Sequence, residues 1–265
     1  MTTGNILNNS ANEVPDSYQE EDRIISSLEA AKEIDDQTLV VKRVNSGLLS
    51  LDKLTQGFVA GDLVVLSGPT KNGKTTLAQT FTNNLAAQKI NSLWFTYEMP
   101  VSQFLKKFPQ LPLFYLPKRL TGSSLEWIEK KILEAKHKFQ VEAIFIDHLH
   151  YLIPFSQTSN VSLLIGGVMR ELKKMSLKHE VIIYIIAHIK MIDDNKQPSL
   201  SDIRDSSFIG QESDFVLMIW RLRSKEKNEI FTNKSRVALY ANRRTGKTGY
   251  IDLELNDGLF EEITK

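Results

Sequence analysis

Eight consecutive residues, Gly68-Pro69-Thr70-Lys71-Asn72-Gly73-Lys74-Thr75, satisfy the G-x-x-x-x-G-K-[ST] pattern of a phosphate-binding loop. Glycines at 68 and 73 let successive backbone N–H groups turn inward around a polyphosphate. A helix opening directly behind the loop adds the positive end of its dipole. In such a loop Lys74 reaches the β and γ phosphates and Thr75 holds Mg²⁺, so the stretch Gly68 to Thr76 is expected to bind a nucleoside triphosphate, ATP with Mg²⁺.

Three further polar residues stand where apolar runs end. Asp147 closes Ala143-Ile144-Phe145-Ile146, 72 residues beyond Thr75. At that place a carboxylate binds the metal beside the γ phosphate, or else caps the next turn. Glu98 follows Trp94-Phe95-Thr96-Tyr97 and precedes Pro100. It is placed to orient an attacking water as a general base, or to interact with the dipole of the helix that Pro100 starts. His188 ends the run Val181 to Ala187. It serves as a sensor of the γ phosphate or as a hydrogen-bonded edge residue.

These residues need a scaffold that brings strand ends together, and the chain supplies its pattern. Apolar segments at 63–67, 92–96, 113–116, 143–147 and 181–186 alternate with longer helical patterns, among them Thr76 to Ala87. That alternation predicts an α/β fold with a mainly parallel sheet covered by helices on both faces. Segments at 215–220, 237–241 and 250–255 have no long helix between them, so antiparallel pairing is expected on that side.

The 265 residues, 42% of them hydrophobic, suffice for one large α/β domain and an extension. The chain contains no cysteine, which excludes thiol catalysis, Cys-ligated zinc and disulfides. It has neither a run of about 18 apolar residues nor a hydrophobic signal core, so a soluble, cytoplasmic protein without membrane association is expected. Residues 1–37 hold nine acidic and two basic side chains, −7, which leaves +8 on the rest of the net +1 chain. Residues 1–16 read as a disordered leader. Ile24, Leu28 and Ala31 at i, i+4 and i+7 predict an acidic amphipathic helix within a 17–43 linker, and 44–265 as the main domain.

The order of further motifs gives a specific resemblance. Ser46-Gly47-Leu48-Leu49-Ser50-Leu51-Asp52 through Gly61-Asp62-Leu63, Tyr97-Glu98-Met99-Pro100, Ile146-Asp147-His148-Leu149 and Ala187-His188-Ile189-Lys190 resemble the RecA-like core of DnaB-type helicases. So do Ser199-Leu200-Ser201-Asp202-Ile203-Arg204-Asp205-Ser206, Ile209-Gly210-Gln211-Glu212-Ser213-Asp214 and Arg243-Arg244-Thr245-Gly246-Lys247-Thr248-Gly249. In family order over about 44–260, they are similar to the DnaB, Twinkle and phage primase-helicase group.

The resemblance implies that Lys74 and Thr75 are phosphate-loop ligands, Glu98 the water-activating catalytic residue, Asp147 the Mg²⁺-site carboxylate and His188 the phosphate sensor. It implies that Arg244 is an arginine finger reaching the next subunit's ATP, and that Arg204, Asp205 and Ser207 lie on a loop touching single-stranded DNA. A homo-oligomer, expected as a hexameric ring, and replication proteins are the implied partners. Asn242 stands where the family usually has Lys, His150 replaces a common Gln, and the segment between Met99 and Leu113 is short. Neither a primase module nor the family's N-terminal helical domain is recognisable. The expected activity is an ATP-dependent DNA helicase that translocates on single-stranded DNA. The alternatives are a non-helicase RecA-like DNA-dependent ATPase, of recombinase or loader type, and a regulatory ATP-binding module without DNA.

Overall fold

The computed structural model describes residues 24–36, 42–153, 161–189, 197–203, 206–224 and 231–263. The chain divides into two units, 1–41 and 42–265. In the first, helix α1 covers Ser27–Asp36; the rest of the stretch 17–37, apart from 24–26, lies outside the described residues, as does the leader 1–16.

The second unit is built on one eight-stranded sheet. Strands β1 (Leu63–Gly68), β2 (Ser92–Thr96), β3 (Ala143–Asp147), β4 (Ile182–His188) and β5 (Phe215–Arg223) alternate with helices, and β6 (Phe231–Asn242), β7 (Gly249–Asn256) and β8 (Leu259–Glu262) follow. The order across the sheet is β2-β3-β4-β1-β5-β6-β7-β8. The strands from β2 to β5 are parallel, and β5 to β8 are antiparallel. The mixed arrangement expected from the chain pattern is therefore the one observed.

Burial on both faces explains the apolar runs. Leu63 and Val65 join one core layer while Val64 and Leu66 join the other, and Ile183/Ile185 against Ile182/Tyr184 repeat the alternation in β4. Helix α3 (Lys74–Ala87) covers one face, burying Leu77, Phe81 and Leu85 at four-residue spacing. With it lie α2 (Leu49–Thr55), which buries Leu51, and α4 (Val101–Leu105), which buries Phe104. The opposite face is covered by α5 (Leu125–Phe139) through Ile128, Ile132 and Ala135, and by α6 (Val161–Lys178) through Ile165, Met169 and Leu172. Ser124 caps α5 by accepting the Trp127 N–H at 3.2 Å. A short helix, α7 (Ser206–Glu212), precedes β5. Among the described residues no helix is long and apolar enough to cross a membrane.

Two expectations differ from the fold. Segment 113–116 is not a strand: Tyr115 alone makes a parallel bridge to Leu93, exchanging backbone bonds with Trp94 and Ser92. Pro112 and Pro117 flank it, and a residue without an N–H interrupts a ladder on either side. Strand β8 was not expected, although Asp257-Gly258, with φ of 46° and 85°, is a two-residue hairpin connection of the Asp-Gly kind.

The sheet also fixes the start of the phosphate loop. Gly68 has φ of 145°, and a Cβ on it would lie 2.0 Å from the backbone oxygen of Ile219 in β5. Gly68→Ala must therefore push β1 and β5 apart or distort the loop. We expect a loss of about 2 kcal/mol or more in a denaturant titration, with nucleotide binding impaired in whatever remains folded.

Candidate active site

The phosphate loop is shaped by its own backbone and by one tether to the sheet. Gly73 takes φ of 96° as the residue before α3, and Lys71 takes φ of 63°. Asn72 donates through its side-chain amide to the Thr70 carbonyl at 3.0 Å, and its side-chain oxygen accepts the Arg221 N–H at 2.8 Å, which fastens the loop to β5. The Lys74 ammonium is buried and donates to the carbonyls of Gly68 and Pro69, both at 2.9 Å. Burial pulls its pKa down to about 8, against the attraction of Glu98 and Asp147.

Strand register explains why distant residues meet here. Gly68 pairs with His188, Thr96 with Asp147, and Asp147 with Ile186, so β1 and β4 end together, β2 and β3 end together, and the second pair stops two residues short of the first at the same edge of the sheet. The Thr75 hydroxyl donates to Asp147 Oδ2 at 2.9 Å, across 72 residues of sequence. Asp147 is fully buried, and its other oxygen, Oδ1, has no hydrogen-bond partner. Burial first, and the Glu98 charge among lesser causes, push its carboxyl pKa up to about 6. A buried carboxylate oxygen without a donor, beside a threonine hydroxyl, is an oxygen-only donor set suited to a hard cation such as Mg²⁺.

Glu98 and His188 line the same cavity of about 470 Å³ as Lys74 and Thr75. The structure thus brings Gly73, Lys74, Thr75, Thr76, Glu98 and His188 to one cleft, with Asp147 bonded at its floor. Residues not singled out from the sequence also line it: Lys107 from the segment after α4, Arg221 from β5, and Phe260 from β8. Nothing local marks Lys107 or Arg221, because their approach depends on how Phe104 and Phe108 are buried and on the β1–β5 pairing. His148 had a signal, its place directly after Asp147. Its ring lies 4.2 Å from that of His188, and burial first, then His188, His150 and Lys74, bring its pKa down to about 3.

The two arginines of the 242–245 turn lie elsewhere. Arg243 N–H donates to the Asp214 carbonyl, and Asp214 N–H to that of Leu63, which places the turn at the amino-terminal ends of β1 and β5. The length of β1, from Leu63 to Gly68, separates it from the loop by roughly 15–20 Å. Arg244 donates to Asp62 Oδ2 at 2.7 Å, to the Gly57 carbonyl at 2.7 Å and to that of Thr55 at 3.3 Å. The Arg243 side chain is half exposed, with Asp214 at 3.7 Å and a bond to the Gln211 carbonyl. Asn242, in place of a lysine, bonds the Thr245 hydroxyl and the Leu54 carbonyl and shapes this turn. Arg204 and Asp205 lie outside the described residues, and Ser207 is described only as a position in α7.

Comparison with known proteins agrees with this architecture. The family model for the DnaB-like helicase C terminal domain matches residues 43–111 and 107–261. A probable replicative DNA helicase of Trieres chinensis is 25% identical over 258 residues, covering 82% of this chain and 56% of that protein. The replicative DNA helicase DnaB of Mycoplasma genitalium is 26% identical over 275 residues, covering 88% and 58%. The chain thus spans little more than half the length of these relatives. One solved ATPase domain superposes with a TM-score of 0.75 at 20% identity, covering 89% of this chain and 97% of that one. A DnaB-like replicative helicase solved with attention to its interactions with primase gives the same TM-score and identity over 89% and 66%. With the RecA-like sheet in place and the family model matched over most of its length, this chain belongs to the DnaB-like helicase C-terminal domain family.

Proposed function

We propose that this chain is the motor of a DNA helicase, hydrolysing ATP with Mg²⁺ between copies of itself to move along single-stranded DNA. The observation that carries this reading is the meeting of Lys74, Thr75, Asp147, Glu98 and His188 at the carboxyl ends of four neighbouring strands. Phosphate oxygens replace the Gly68 and Pro69 carbonyls on Lys74, whose charge then faces the β–γ bridge where negative charge develops. Thr75 and Asp147 would hold Mg²⁺, which when bound supplies charge neutralisation between the β and γ phosphates. Glu98 accepts a proton from the water whose oxygen attacks the γ phosphorus, as the bond to the bridging oxygen breaks. His188, at the end of β4 beside the loop, reports the state of the γ phosphate to the segment that follows it.

That segment leads towards Arg204, Asp205 and Ser207, which by the family resemblance contact the DNA backbone. The same resemblance gives a ring of copies, with the acidic helix before the core docking on the next one. The 242–245 turn is too far from its own loop to act there, so any arginine it supplies to ATP acts on a neighbour. Arg244 meets the family pattern and would have to exchange Asp62 for phosphate; Arg243 beside it needs a smaller rearrangement.

Four outcomes test this reading. ATP hydrolysis by the full chain should rise with single-stranded DNA and accompany forked-duplex unwinding. Glu98→Gln should keep nucleotide binding and lower hydrolysis about 10²-fold or more; a wild-type rate would remove the base role from Glu98.

Asp147 gives a pH signature. Its folded pKa, about 6, lies above the ordinary 3.8, so the folded state holds the proton more tightly. Stability falls as pH rises through this interval, and the deficit is complete above it. In Mg²⁺-free buffer Asp147→Asn should therefore be more stable than wild type at pH 8, by about 1–3 kcal/mol, with the gap closing towards pH 4.

In the fourth, inactive Lys74→Ala protein is mixed with Arg243→Ala or Arg244→Ala protein. Rescue of hydrolysis identifies the arginine that works across the interface, and no rescue in assemblies shown to mix excludes both.

A further inference from the structure

His148 has no task in the hydrolysis described above, yet it stands among its residues. Glu98, His148 and His188 each present one ligand atom, and the three atoms lie within 4.8 Å of one another. They come from the ends of three strands that are neighbours in the sheet, β2, β3 and β4, so the register that aligns the catalytic groups also gathers these three. The His148 and His188 rings meet edge to face, and the Tyr151 ring lies 4.8 Å from His148 on another side.

We propose that Glu98, His148 and His188 form a second cation site, separate from the Thr75–Asp147 pair, that takes a borderline transition-metal ion such as Zn²⁺. Two imidazoles and one carboxylate are the donor set for Zn²⁺ and Co²⁺ with a position left for water, whereas Mg²⁺ prefers oxygen donors alone. Bonds of about 2.0–2.2 Å require the ligand atoms to draw together by roughly 1 Å, which the exposed Glu98 side chain can supply by rotation. His148 Nδ1 accepts the His150 N–H at 3.3 Å, a long bond that coordination can displace at small cost. Both histidines are half-buried, so the pair is shielded from water on the side of the sheet while Glu98 stays exposed.

The consequence rests on the reading of Glu98 as the base. An ion that holds Glu98 takes it away from the attacking water, so Zn²⁺ should arrest hydrolysis while Mg²⁺ supports it. Binding itself requires no such reading.

The test uses the full chain without a histidine tag, in Mg²⁺-free and nucleotide-free buffer. Co²⁺ titration should produce the visible absorption of a low-coordinate, nitrogen-ligated ion at one equivalent, and Zn²⁺ should abolish it. Zn²⁺ affinity, measured by competition with a chromophoric chelator, should fall about tenfold or more in His148→Ala, in His188→Gln and in Glu98→Gln. Glu98 is exposed, so its variant keeps the fold, and the melting temperature checks the two histidine variants. Absence of the Co²⁺ band, or affinities unchanged in all three variants, overturns the site; loss only in His150→Ala overturns the ligand set. In a parallel ATPase assay one equivalent of Zn²⁺ should slow hydrolysis. Binding without slowing upholds the site and counts against Glu98 as the base, so the two ideas fail separately.

Discussion

The parallel register of β2, β3, β4 and β1 is the constraint on which the rest of the structure depends. Both faces of these strands are covered by helices, so side chains along them are largely apolar, and charged groups sit where a strand leaves the core. The carboxyl ends of these strands then gather Asp147, Glu98 and His188 along one rim. Thr75, Asp147 and His188 are near one another because Gly68 pairs with His188 and Asp147 pairs with Ile186, two residues before His188.

The rim is electrostatically costly. Lys74 and Asp147 are both buried, and burial moves each towards neutrality, the lysine down and the aspartate up. Neither has its full complement of partners in the protein: Lys74 leans on its own loop carbonyls, and one oxygen of Asp147 has no donor. Such groups destabilise the empty fold, a compromise common at functional sites and in keeping with the phosphate and divalent-cation roles proposed for them. The other end of the sheet is better satisfied. There Asp214 accepts from Lys173 and from the Leu63 N–H, and Asp62 accepts from Arg244 and the Val59 N–H. One end of the same strands is a stable junction and the other a reactive one.

Much was legible in local sequence because the physics there is local. Glycines at 68 and 73 and the lysine and threonine behind them specify a phosphate loop, and unbroken apolar runs specify strands buried on both faces. Helix spacing in α3 and the polar residues that end β3 and β4 follow from the same reading. Local reading failed where the answer depended on partners. Segment 113–116 has strand-like residues, but its bracketing prolines limit it to one bridge, and β8 exists because Asp257-Gly258 folds it onto β7.

The sequence by itself therefore determined the family, through the order of its motifs, and the alternation of the parallel strands with helices and the make-up of the proposed phosphate loop, through backbone preference and burial period. Tertiary structure alone decided that Thr75 bonds Asp147, that Lys107 and Arg221 enter the cleft, and that Arg244 is held by Asp62 far from its own loop. It also decided that Glu98, His148 and His188 converge. Those relations join residues far apart in the chain, by 72 positions for Thr75 and Asp147 and by 182 for Asp62 and Arg244. Only the pairing of strands and the packing of helices convert such separations into contact.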